Sequence, residues 1–65
     1  MRDINRIPIF MEKLSNIWIT YYPDLRFAQF MEFVFAKIKN TGRDPFYLEE
    51  DQFIKYIEKI VKGEI

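Results

Sequence analysis

Ile17-Trp18-Ile19-Thr20-Tyr21-Tyr22-Pro23-Asp24-Leu25-Arg26-Phe27-Ala28-Gln29-Phe30 holds the end of one helical pattern and the start of the next. Pro23 disfavours helical dihedrals at Tyr22, so a helix arriving from upstream stops there. Asp24 then stands where an N-cap is wanted, which predicts a second helix over about residues 25–39. Upstream, Ile7, Phe10, Met11, Leu14, Ile17, Trp18 and Tyr21 recur at three- and four-residue steps. That spacing stacks them on one face of a helix over residues 6–21. Asn5 is preferred to Asp3 as its cap, because it puts Pro8 in the first turn, where a missing N–H costs nothing.

Downstream, Phe27, Phe30, Met31, Val34, Phe35 and Ile38 make the apolar arc of the second segment. Lys37 and Lys39 complement the negative end of its dipole, and Asn40-Thr41-Gly42 offers the left-handed residue of a C-cap. Residues 43–48 read as a loop built on Asp44-Pro45, with Phe46 and Tyr47 plugging the end of the core. A third helix over 49–62 opens on Glu49, Glu50 and Asp51, buries Phe53, Ile54, Ile57, Ile60 and Val61, and stops at Gly63. No useful length of chain alternates with period two. The expected fold is all-α: a compact bundle of three helices, about 6–21, 25–39 and 49–62, in a single domain over 1–65. The short joint at Pro23 predicts that the first two are antiparallel neighbours.

Seven phenylalanines, four tyrosines and one tryptophan stand in 65 residues that include no cysteine and no histidine. A chain this short buries only about 60% of its unfolded surface, so large rings are an economical source of core. The expected core rings are Phe10, Trp18, Tyr21, Phe27, Phe30, Phe35, Phe46 and Phe53. Without Cys and His there are no disulfides, no thiolate zinc sites and no imidazole base. Ser15 is the only serine and has nothing to activate it. The cluster Asp44, Glu49, Glu50 and Asp51 lacks the spacing of a calcium loop and suits a helix N-terminus instead. The expectation is a non-enzyme with no catalytic residue, no cofactor, no metal site and no small-molecule substrate.

Ten basic and ten acidic residues cancel, so no net field draws the chain to nucleic acid or acidic lipid. The first two thirds lean basic and the last third acidic, which suits pairing within the chain, and Arg26 is the expected partner of the acids at 49–51. Met1-Arg2-Asp3 leads into mixed sequence, and the uncharged run from Leu14 to Pro23 is half a membrane span at best. A cytoplasmic protein that does not enter membranes is expected.

Arg26, Gln29, Phe33 and Lys37 share the outer face of the second helix. Phe33, with Tyr22 and Tyr56, is left over from the core arcs, and an aromatic beside Arg is the usual composition of an interface anchor. The first reading is therefore a protein-interaction module, self-associating as a homodimer or holding a protein partner. The alternative is a small DNA-binding regulator presenting Arg26 and Gln29 to base edges. Zero net charge weighs against nucleic acid as a partner.

Trp18, Pro23-Asp24-Leu25-Arg26, Gln29 and Asp44-Pro45-Phe46-Tyr47 with its acidic follow-on form a pattern spread over nearly the whole chain. With the opening Arg2-Asp3, it resembles a group of very short bacterial and phage-borne proteins of unknown function. Pro8-Ile9-Phe10 and the Phe-rich second helix depart from that pattern. The shared motifs are joints and caps, so the resemblance implies a helical fold and a bacterial or phage source and supplies no activity.

Overall fold

The computed structural model describes residues 2–65 and contains three α-helices: α1 (Arg6–Tyr21), α2 (Phe27–Asn40) and α3 (Glu50–Val61). A single 3₁₀ turn, Pro45–Tyr47, lies between α2 and α3, and there is no strand among the described residues. The all-α three-helix bundle expected from the periodicity is what the chain forms.

Local chemistry sets the ends, with two departures from expectation. Asn5 occupies the cap of α1 but its side chain makes no cap bond; Asp3 Oδ1 instead accepts from the Asn5 N–H at 2.9 Å. Asp24 does not cap α2. The Leu25 N–H bonds back to the Tyr22 carbonyl at 3.1 Å, which spends the intervening residues on a turn and delays the helix to Phe27. Arg26 is the extended residue before it, and Gln29 Oε1 accepts its N–H at 2.8 Å. The same device opens α3, where Gln52 Oε1 accepts from the Glu49 N–H at 3.2 Å. Each glutamine is three residues past the cap and satisfies a donor that the helix itself leaves open.

Gly63 ends α3 at φ +77°, and the N–H groups of Gly63 and Glu64 return to the carbonyls of Ile60 and Lys59. This is the paired bonding of a Schellman motif, which needs a left-handed residue at that position. Gly42, at φ +90°, turns the chain out of α2 in a related way.

The buried core consists of Leu14, Phe30, Val34, Ile38, Leu48, Phe53, Ile54, Ile57 and Ile60. Only two of its nine members are aromatic. Phe30, Val34 and Ile38, one helical turn apart, present the buried line of α2, while α3 contributes four residues and α1 only Leu14. Burying each such aliphatic side chain is worth roughly 1.5–3 kcal/mol.

α3 packs along both of the other helices. Where α1 and α2 meet, aromatic rings stand between them: Trp18 lies 5.8 Å from both Phe27 and Phe30, and Tyr22 lies 5.5 Å from Phe30. Phe27, at the edge of this ring cluster, also lines an apolar groove on the surface of the molecule.

Candidate functional site

The four residues singled out in the sequence lie along one flank of α2, but most of them have structural work. Arg26 is exposed at the cap, and Gln29 is held by the Arg26 N–H. Phe33 is half-buried: its ring meets Tyr22 edge-on at 5.5 Å, and Lys37 Nζ lies 5.9 Å from its centre. Phe33 and Tyr22 together close the α1–α2 joint.

The exposed rings are others. Phe46 is 83% exposed and Phe27 52%, with Met11 at 48% and Phe35 at 37%. They line one groove of about 350 Å³ whose floor includes Leu14 and Phe53. Expectation and structure differ plainly here. The helical period places Tyr21, Phe27, Phe35 and Phe46 in the core, whereas all four are exposed, and Phe46 and Tyr47 do not plug its end. Leu48, which carried no sequence signal, is buried instead.

Each exposure has a local cause. Phe27 is on the line of Val34 and Ile38, yet it is the first residue of α2; Trp18 packs on one side of its ring and half of the residue stays exposed. Phe35 is rotated by about 100° from Val34, beyond the line that α3 covers. Phe46 sits in a turn opened by Asp44, whose Oδ1 accepts from the Phe46 N–H at 3.0 Å. That bond leaves the ring outside, edge-on to Tyr47 at 5.0 Å. One signal in the sequence could have warned of this: an apolar arc spanning 27 to 38 is wider than a short helix with few neighbours can cover.

A minority of the charged groups are committed to the fold. Arg2 pairs with Glu49 at 2.8 Å and Arg6 with Glu50 at 2.6 Å, and these are the only two ion pairs among the described residues. The basic start of the chain therefore ties to the acidic start of α3, but through Arg2 and Arg6. Arg26, expected in that role, does not take it, because the turn at Tyr22–Leu25 leaves it exposed at the head of α2. Asp51 Oδ1 accepts from the Gln52 N–H at 2.9 Å, and the Ser15 hydroxyl donates to the Glu12 carbonyl of its own helix at 3.3 Å. Burial, and secondarily the neighbouring Tyr21, raise the Tyr22 hydroxyl above the ordinary tyrosine value of 10.0.

No three acidic side chains converge to hold a metal ion among the described residues. No described helix is long and apolar enough to cross a membrane. No family model matches the chain, and neither a curated protein nor a solved structure matches it. What the arrangement offers chemically is apolar contact.

Proposed function

We propose that this chain is a small non-enzymatic protein-interaction module that self-associates through the aromatic face of α2 and the residues beside it. The observation that carries this reading is the groove bearing Met11, Phe27, Phe35 and Phe46, which are between 37% and 83% exposed. With a full side chain presenting roughly 200 Å², these four leave about 400 Å² of apolar surface open in one place. A patch of that order is at the size where exposed apolar surface on a monomer tends to be functional. Zero net charge removes any general repulsion between copies.

Solution mass across a dilution series tests the reading. The expected result is 8.0 kDa when dilute, rising toward twice that in the high micromolar range. Phe46→Ser should hold the mass at the lower value with the helical circular dichroism intact, because that ring is not part of the core. Phe33→Ser should lower thermal stability, because that ring meets Tyr22 across the α1–α2 joint. A wild-type chain that stays monomeric at high micromolar concentration overturns the proposal. Steeply salt-dependent retention on duplex DNA would then favour the regulator alternative.

A further inference from the structure

We infer that the self-associated form is a closed two-fold dimer in which α2 packs antiparallel on the α2 of a second copy, with the axis passing between Phe35 and Ala36. This rests on the self-association reading and adds the partner's register.

Area gives the first argument. The exposed groove residues supply about half of the ~800 Å² that each side of a stable interface buries. The remainder has to come from surface contiguous with Phe35. The outer ridge of α2 is that surface: Glu32, Ala36 and Lys39 are exposed, and they share a shallow depression with Gln29, Phe33 and Phe35. Ala36 is small enough to let a second helix come to the near end of the 8–10 Å range of interaxial distances.

Charge gives the second argument. Glu32 and Lys39 are in neither of the two ion pairs found among the described residues. They lie two helical turns apart on the same face, each about 5 Å along the helix from the midpoint of Phe35 and Ala36. In an antiparallel pair centred there, positions equidistant from the axis oppose each other. Glu32 then faces Lys39 of the second copy, and the reverse contact forms by symmetry. Phe35 meets its symmetry mate on one side of the axis and Ala36 its mate on the other. A parallel pair in the same register would set Glu32 against Glu32 and Lys39 against Lys39. The surface is thus self-complementary only with the helices reversed, and such an isologous contact closes at two copies and does not grow.

The test uses charge reversal and a single cysteine, which is unique because the chain has none of its own. Glu32→Lys and Lys39→Glu should each weaken dimerisation about tenfold at low salt, since each converts two attractive contacts into two repulsive ones. The double variant Glu32→Lys with Lys39→Glu should return to within about twofold of wild type, with the recovery shrinking as salt rises. Ala36→Cys should oxidise to a covalent dimer, because a disulfide needs Cβ atoms about 4 Å apart. Lys55→Cys, on the exposed side of α3, should not. A wild-type dimer whose affinity ignores both single reversals, or whose Ala36→Cys form stays uncrosslinked, overturns the two-fold arrangement and leaves self-association standing. A wild-type monomer overturns both.

Discussion

The Trp18 indole N–H donates to the Leu25 carbonyl at 2.9 Å, across the joint that links α1 to α2. The bond ties the last turn of one helix to the residue before the cap of the other, and the same indole packs on Phe27 and Phe30. Trp18 therefore sets the reach of the joint as well as filling it.

Trp18→Phe keeps a ring at that position and removes the donor. The expected loss is about 1–3 kcal/mol, because the half-buried Leu25 carbonyl forfeits its partner along with some packing area. Urea unfolding followed by circular dichroism measures it; a variant as stable as wild type would show that the bond does not hold the joint.

Arg6→Ala should destabilise more than Arg26→Ala does. Arg6 donates to Glu50 from a site about a third exposed, whereas Arg26 makes no ion pair among the described residues. Solvent screening limits the difference to about 0.5–1 kcal/mol, and added salt should narrow it. Melting temperatures at low and high salt decide the point, and equal values for the two variants at low salt would contradict it.

Phe30→Ala removes a fully buried ring, with 0% exposure, at a cost of about 3–5 kcal/mol. A 65-residue chain has a total stability of only about 3–10 kcal/mol, so this variant should lose about a third of it or more and melt far below wild type. Phe46→Ser, made in a ring of the same size, should melt within a few degrees of wild type. Comparable melting for both would mean that Phe30 is not at the centre of the core.

Tyr22 links stability to alkaline pH. Its folded-state value lies above 10.0, so as pH rises the unfolded chain loses this proton before the folded one does. The contribution is complete below pH 10.0 and is lost as pH climbs from there through the folded value. Tyr22→Phe should flatten that part of the decline relative to wild type. Melting curves from neutral pH to above pH 10.0 provide the comparison, and an unchanged alkaline slope would rule Tyr22 out as its source.

The arrangement of Phe33 and Phe35 shows where reading along the chain stops. Both are apolar and lie two positions apart on one helix, and the period sends Phe35 inward and leaves Phe33 out. The fold departs from this: Tyr22 meets Phe33 from across the joint and Phe33 is half-buried, while Phe35 stays 37% exposed. Phe53 does meet Phe35 edge-on at 6.0 Å, but from one side only. For the proposed interface, the face of α2 was legible as aromatic, whereas the rings that form it were not. Likewise the acids at the head of α3 were legible as partners for basic residues, and only the approach of the chain start to α3 selected Arg2 and Arg6.

By itself the sequence determined three helices, their ends within two residues, the turn at Pro23 and the glycine exits. Those features depend on interactions within about one turn of chain: dihedral limits, caps and the 3.6-residue period. Tertiary structure decided which rings are covered, which charges pair and where an apolar groove stays open. Those outcomes depend on how far apart neighbouring helices stand, and between α1 and α2 the rings of Trp18, Tyr22 and Phe30 meet in that space.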